Sequence, residues 1–471
     1  MTEAAGINSE AFGLFTDLYQ LTMAQSYFEH QRNQTATFSL FIRTYPPHHT
    51  YFVAAGLATV LEYLEQVGFP STALAYLQET GRFSDAFLAY LRQWRFRGDV
   101  MALPEGSVFF VNEPVLEVTA PIIDAQLIES FMVNAVHLQT LIASKASRCV
   151  QAAQGRSLID FALRRTHGTD AAMKVARASY LAGFDSTSNV LAGKVYDIPI
   201  SGTMAHSYVT CFPEEIDSFR AFAASFPQHT VLLIDTYDTL IGAKHAAVVG
   251  QEMARRGQRL LGVRLDSGDM TTLSKHVRLI LDQAGLSEVR IVASGGFDEF
   301  GIDEAVRNNA CIDLFGVGTK MGVAADAPYY DMAYKLVKYD GRPVMKLSTG
   351  KVTLVDEKQV WRRTSHDQFL EDIIALRHEP LDRADAHPVL QCVMRAGATV
   401  EPRPSLTEAR TRHADEMARL PATFRQLRDG THYPVRLSTA LEHLQHQVET
   451  ALEQGLHIAN NAPNTPPQRK E

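Results

Sequence analysis

The chain has 471 residues, 46% of them apolar and 21% charged, with 45 basic and 53 acidic side chains for a net charge of −8. That is the balance of an ordinary soluble globular protein, too long for one simple core and without the basic excess of a nucleic-acid binder. Its four cysteines, Cys149, Cys211, Cys311 and Cys392, are scattered without a CxxC pair, which argues against a metal cluster or disulfide framework and for a reducing compartment. The opening Met1-Thr2-Glu3-Ala4-Ala5-Gly6 has neither a basic nor an apolar leader region, and no uncharged apolar run approaches the ~18 residues of a membrane span. A cytoplasmic protein with no nucleic-acid or membrane partner is expected.

In chain order, Phe15 to Tyr27 reads as a helix opened by the capping residues Thr16 and Asp17. Thr35 to Ile42 and Ser107 to Thr119 read as strands, with a helix from Gly56 to Val67 between them. Residues 1–130 are therefore expected to form an α+β domain. From 131 to 330 the rhythm becomes strand, polar loop, helix. Strands are expected at Thr230 to Ile234, Leu260 to Leu265, Val289 to Ala293 and Ile312 to Val317, with helices from Ala243 to Arg256, from the next loop through Gln283, and around Asp303 to Asn308. Strand ends recurring at roughly 30 residues are what a parallel sheet or βα barrel requires. Beyond it, Met332 to Tyr339, Arg342 to Leu347 and Gly350 to Asp356 read as strands, the first two joined at Tyr339-Asp340-Gly341. They are expected to complete the first domain, over about 330–400. Helices from Thr407 to Leu420 and Leu437 to Leu456 make a C-terminal helical segment, 401–459, before a Pro- and Asn-rich tail, 460–471, expected to be disordered.

The strand ends carry the chemistry. Arg264-Leu265-Asp266-Ser267-Gly268-Asp269 sets carboxylates that can bind Mg²⁺ or ribose hydroxyls, or stabilise positive charge on a sugar carbon, beside an arginine suited to an anion. A strand-end turn with a salt bridge explains the same residues equally well. Ser294-Gly295-Gly296-Phe297-Asp298 and Gly316-Val317-Gly318-Thr319-Lys320 are small-residue loops whose N–H groups can approach a phosphate. Either alone can simply turn the chain, but two on successive strands resemble the phosphate sites of βα barrels. His206 follows Ser201-Gly202-Thr203-Met204-Ala205, and Asp235 at the next strand end could orient it as a general base or a phosphoryl acceptor. Spacing alone does not choose between these roles and a structural histidine. Phe161-Ala162-Leu163-Arg164-Arg165 places an aromatic near two cations, suited to a heteroaromatic ring and an anion.

Taken together these segments resemble nicotinate phosphoribosyltransferase. The resemblance rests on Phe15-Thr16-Asp17-Leu18-Tyr19-Gln20-Leu21-Thr22-Met23, Ala143-Ser144-Lys145-Ala146-Ser147-Arg148, Gly183 to Val190, Gly202 to Ser207, Gly262 to Asp269, Ser294 to Glu299, Gly316 to Thr319 and Tyr433 to Ser438. The matches are collinear from about residue 12 to 440. The resemblance implies an irregular βα barrel of the type II phosphoribosyltransferase kind. It also implies an ATP-coupled ligase that joins nicotinate to 5-phosphoribosyl diphosphate, yielding nicotinate mononucleotide and pyrophosphate for NAD salvage. By resemblance His206 becomes a phosphohistidine, oriented by Asp235, and Asp266 faces the ribose. Tyr19, from the second subunit of a homodimer with a shared active site, and Phe161 would sandwich the pyridine ring. Arg164, Thr203 and Arg264 would surround nicotinate and the reacting ribose, while Ser294, Gly295, Gly296, Gly316, Gly318 and Thr319 line the phosphate site. Mg²⁺ would neutralise pyrophosphate, with ATP as co-substrate.

Ser188 aligns with an Asp of the related nicotinamide enzyme, and its neutrality favours the acid over the amide. Two departures stand out. Ala162 replaces the family's Gly before Leu163-Arg164-Arg165, placing a methyl beside the expected ring site. The C-terminal cysteine cluster of some members is missing, so no zinc and no resident metal set are expected. Two rival readings are a barrel lyase or isomerase acting on another sugar phosphate, and a non-catalytic sensor of phosphoribosyl diphosphate. The first leaves Tyr19, Phe161 and the His206 loop without a role, and the second is expected to have lost His206 or Asp266.

Overall fold

The computed structural model describes residues 9–347, 353–381, 383–400 and 404–461. Its centre for function is a six-stranded parallel sheet. In spatial order the strands are Ser186–Thr187, Ser157–Asp160, Leu314–Val317, Arg290–Ala293, Gly262–Leu265 and Val231–Leu233. The order runs outward from Leu314–Val317, and no pairing between the two edge strands is present among the described residues. The sheet is therefore a half-barrel. Its strands are short, apolar and buried, as parallel strands covered by helices must be. Each carboxyl end breaks into one of the polar loops singled out in the sequence.

A seven-stranded antiparallel sheet is assembled from distant parts of the chain. Thr35–Ile42 lies between Met332–Tyr339 and Leu116–Pro121, and Asp99–Ala102 pairs with Gln391–Arg395. A four-stranded sheet carries Lys358–Ser365 and Gln368–Leu376, flanked by Ala386–Pro388 and Val435–Leu437. Between the antiparallel core and the half-barrel runs the helix Glu129–Ala153, 25 residues long and buried along most of its final half. One apolar core joins the first sheet to the inner half-barrel through Phe184, Phe315 and Val317, all fully buried. Each such phenylalanine stabilises the fold by about 1.5–3 kcal/mol. A second core of Leu232, Val263, Ile291 and their neighbours lies under the outer strands.

Several boundaries differ from expectation. The first helix is Leu18–Glu29, and Asp17 at its N-cap makes no side-chain cap but accepts from the Ser130 hydroxyl at 2.7 Å. Ser107 to Thr119 divides into Val108–Phe109 and Leu116–Pro121, because Asn112 turns through φ +67° and Pro114 cannot donate to a ladder. The helix expected at Asp303 begins at Glu299, where Asp298 accepts the Gly301 N–H at 2.9 Å. Arg342 to Leu347 contributes only Arg342–Pro343 to a strand, and residues 353–356 form none. The rest of the expected strand at Gly350 lies outside the described residues, as does the expected tail 460–471 except for 460–461, which are helical at the end of Thr439–Asn461. Among the described residues no helix is long and apolar enough to cross a membrane.

Candidate active site

Strand alternation places Arg264 on the opposite face from the buried Val263 and Leu265, above the carboxyl end of the half-barrel. Its guanidinium joins three loops. Nε donates to Ser294 Oγ at 2.9 Å, Nη1 to Thr203 Oγ1 at 2.9 Å and the Met204 carbonyl at 3.2 Å, and Nη2 to Asp266 Oδ1 at 3.2 Å. It also lies 5.6 Å from the centre of the Phe161 ring. A planar fork with five donors meets this arrangement and a lysine could not.

Asp266 accepts from Ser294 Oγ as well as from Arg264, and its Oδ2 stands 3.7 Å from His206 Nε2. Partial burial alone would raise its pKa. The Ser294 hydroxyl and the Arg264 charge outweigh burial and hold it below the ordinary carboxylate value. The site thus favours an anion at Asp266 beside the Arg264 cation. Asp235 does not touch His206. Its Oδ2 accepts the Asp266 N–H at 2.9 Å and the Ser267 hydroxyl at 2.7 Å, fixing the Asp266 turn, while its buried Oδ1 has no hydrogen-bond partner. The residue at His206 Nδ1 is Thr236, whose hydroxyl lies 3.2 Å away. Nδ1 is thereby engaged, and Nε2 faces Asp266 from a side chain 44% exposed.

Phe161 leaves the strand Ser157–Asp160 and closes on the neighbouring glycine loop. Its N–H donates to the Val317 carbonyl at 2.9 Å, and a Cβ on Gly316 would lie 2.5 Å from its ring. Gly318 comes close to the Phe161 carbonyl, where an added Cβ would sit at 3.1 Å. Gly295 has φ +100° and stands so near the Asp266 carbonyl that an added Cβ would lie 2.1 Å from it. Gly296 (φ +76°) faces open space, as does exposed Thr319 at the start of the next helix. Lys320 Nζ bonds Asp298 at 3.0 Å and so links the two glycine loops. The Ala162 methyl is fully buried, packed where an added Cβ on Gly322 would come within 2.5 Å of it. That departure therefore contributes to packing beneath the turn rather than lining an open ring site.

Arg264, Asp266, Ser294, Thr203, His206, Asp235, Phe161 and the glycines thus gather at one sheet end. Three other expected residues make no side-chain contact with this cluster among the described residues. Arg164 is exposed on the turn Leu163–Arg165, with no ion pair among the described residues. Ser188 is half-buried, its N–H donating to the Asp160 carbonyl at 2.8 Å. Tyr19 is 51% exposed on the first helix and makes no ring contact with Phe161 in this chain. The sequence reading missed Thr236, which sits one residue past the expected partner. It also missed Asp160, whose buried carboxylate accepts Ala162 N–H at 2.8 Å and Thr187 Oγ1 at 2.7 Å. A carboxylate ending an apolar strand was the available signal for Asp160. Among the described residues, no three His, Cys, Asp or Glu side chains gather as a closed metal site.

Comparison with known proteins covers most of the chain. Residues 14–137 match the nicotinate phosphoribosyltransferase N-terminal domain, 156–370 the nicotinate phosphoribosyltransferase family, and 381–445 its C-terminal domain. A nicotinate phosphoribosyltransferase of Mycobacterium tuberculosis is 48% identical, covering 92% of this chain and 93% of its own. That of Bacillus subtilis is 39% identical over 80% and 79%. The crystal structure of human nicotinic acid phosphoribosyltransferase superposes with a TM-score of 0.82 at 29% identity, covering 92% of this chain and 99% of that one. On these matches the chain belongs to the nicotinate phosphoribosyltransferase family.

Proposed function

We propose that this chain joins nicotinate to 5-phosphoribosyl diphosphate, releasing pyrophosphate and forming nicotinate mononucleotide. The observation that carries the reading is the Arg264–Asp266–Ser294 cluster. It lies between the His206 loop and two glycine loops at the carboxyl end of parallel strands. The half-barrel is read as part of an irregular βα barrel of the type II phosphoribosyltransferase kind, residues 131–330. In the same reading, residues 1–130 with about 330–400 form the α+β domain, and 401–459 a helical segment.

In this reading the 5′-phosphate lies against Gly295, Gly296, Gly318 and Thr319, whose backbone N–H groups can meet an anion, with open space at Gly296 to admit it. The pyridine ring stacks on Phe161, and exposed Arg164 meets its carboxylate. Ser188 leaves no like charge against that carboxylate. Tyr19 reaches the ring from a second copy, which suits its exposure. As the bond from ribose to pyrophosphate breaks, positive charge grows on the sugar carbon and Asp266 stabilises it. Arg264 and Thr203 hold Asp266 and the adjoining loop in place. Asp235, whose buried Oδ1 has no hydrogen-bond partner, carries a hard oxygen donor that would hold Mg²⁺ brought by the diphosphate. When bound, the metal supplies neutralisation of the leaving group.

ATP coupling follows from His206 in the same reading. Nε2 attacks the γ-phosphorus, the bond to ADP breaks, and hydrolysis of the phosphohistidine returns the free imidazole. Thr236 at Nδ1 supports the ring orientation this needs. The enzyme would work as a cytoplasmic homodimer. The test is pyrophosphate release from phosphoribosyl diphosphate with nicotinate, nicotinamide, quinolinate or no base. Release that requires nicotinate and is at least tenfold slower with the others is expected. Release without any base would favour a sugar-phosphate lyase, and binding without release a sensor.

A further inference from the structure

The segment Ala143 to Arg148 has no place in the chemistry above, yet it carries two of the most deeply buried cations in the chain. Lys145 and Arg148 lie on one face of the helix Glu129–Ala153, 1% and 3% exposed. Lys145 Nζ is 2.6 Å from Glu299 Oε2 and 2.5 Å from Asp326 Oδ1. Arg148 Nη1 is 3.1 Å from Glu299 Oε1 and 2.9 Å from Asp326 Oδ2. Each cation therefore ion-pairs with both carboxylates in a closed square, hydrogen-bonding Asp326 while Glu299, fully buried at 0%, is held by charge alone.

The two carboxylates are not neighbours in sequence. Glu299 opens the helix directly after the Ser294–Asp298 loop, and Asp326 follows the short helix Thr319–Gly322 that the Gly316–Gly318 loop feeds. The square consequently spans the elements behind both glycine loops, while the Lys320–Asp298 pair links the loops in front. Buried ion clusters are weak stabilisers, since desolvation offsets most of their attraction, and apolar packing would serve stability as well. What charges add is a fixed geometry. Burial keeps the Glu299 pKa above the ordinary carboxylate value despite the two cations, whereas at Asp326 Lys145 and Arg148 outweigh burial and bring it down to about 2.

We propose that the Lys145–Arg148–Glu299–Asp326 square is a positioning device that sets the spacing of the two glycine loops, and with it the affinity for the 5′-phosphate of phosphoribosyl diphosphate. The inference rests on the reading of those loops as the phosphate site. It is tested by calorimetric binding of phosphoribosyl diphosphate, together with KM for each substrate, in wild type, Lys145→Met, Lys145→Arg and Asp326→Asn. Lys145→Met and Asp326→Asn are expected to weaken phosphoribosyl diphosphate binding at least tenfold and to raise its KM to match. The KM for nicotinate should stay within threefold, and Lys145→Arg should restore most of the affinity. If Lys145→Met does not fold, Asp326→Asn at the rim of the square decides alone.

Affinity unchanged in folded variants, or both KM values and kcat shifting together without rescue by Lys145→Arg, would overturn the inference. A wild type that binds phosphoribosyl diphosphate but forms no mononucleotide would remove the reaction assignment and leave the affinity comparison to decide this proposal. A wild type that does not bind it would overturn both.

Discussion

Gly316→Ala acts first on the placement of the Phe161 ring and second on Ser294. Gly316 lies outside the left-handed region, so its backbone accepts alanine and the consequence is steric. The new Cβ would meet Phe161 Cε2 at 2.5 Å, Cδ2 at 2.6 Å and Ser294 Cβ at 3.1 Å, where ordinary contact begins at 3.4 Å. The ring must retreat by roughly 1 Å, at an overpacking cost of about 1–3 kcal/mol. Phe161 is half-buried at the site's edge and can swing outward, so the lower end applies to stability. That swing carries the ring away from the Arg264 guanidinium, now 5.6 Å from its centre. A displacement of about 1 Å from the reacting geometry can lower rate by up to about a hundredfold. Steady-state kinetics should therefore show kcat/KM for nicotinate falling ten- to a hundredfold, with the melting temperature lower by only a few degrees. A folded variant whose kcat/KM for nicotinate stays within twofold of wild type would refute the assignment of Phe161 as the ring platform.

Other perturbations read out different parts of the molecule. His49 and His413 are each lowered from 6.5 to about 4, first by burial and then by nearby arginines, so the unfolded chain binds protons that the fold does not. Their contribution is complete above pH 6.5 and is lost as pH falls toward 4, about 1.4 kcal/mol per pH unit for each histidine. Denaturant midpoints at pH 7 and 5.5 should show the loss, and His413→Gln should reduce the slope. Arg362, fully buried, holds Asp372 through Nε and Nη2 and Glu416 through Nη1. Arg362→Met strands both carboxylates and should lower stability by about 3–5 kcal/mol in denaturant unfolding. A loss below about 1 kcal/mol would contradict the role given to this buried arginine. Ser188→Asp should raise the KM for nicotinate about tenfold or more and relax the discrimination against nicotinamide, measured by the ratio of the two kcat/KM values. An unchanged ratio would place Ser188 away from the ring substituent.

The parallel strands were legible because short apolar runs end in glycine and carboxylate loops, Thr35–Ile42 because it is rich in β-branched and aromatic residues, and Met332–Tyr339 because the Asp340-Gly341 turn ends it. The break inside Ser107 to Thr119 carried its own signal in Asn112 and Pro114, but an apolar flank on either side concealed it. Asp298 is a capping residue, and the helix start at Glu299 was readable had the cap been weighed above the glycines before it. The exchange of Thr236 for Asp235 at His206 was not readable, since one residue along a strand end reverses which side a group faces. Nor was the square of Lys145, Arg148, Glu299 and Asp326. Its members are brought together only by tertiary packing, and a sequence shows their charges without showing their burial.

The proposed reaction makes nicotinate mononucleotide at this sheet end, coupled to ATP through His206. The most direct measurement is chromatographic quantification of nicotinate mononucleotide formed from nicotinate, phosphoribosyl diphosphate and Mg²⁺. It is run with and without ATP, for wild type and His206→Ala. Mononucleotide formed by the wild type and increased by ATP, with the ATP effect gone in His206→Ala, is the predicted result. No mononucleotide from folded wild-type protein under either condition would contradict the account, and an ATP effect that survives in His206→Ala would contradict the role of that histidine.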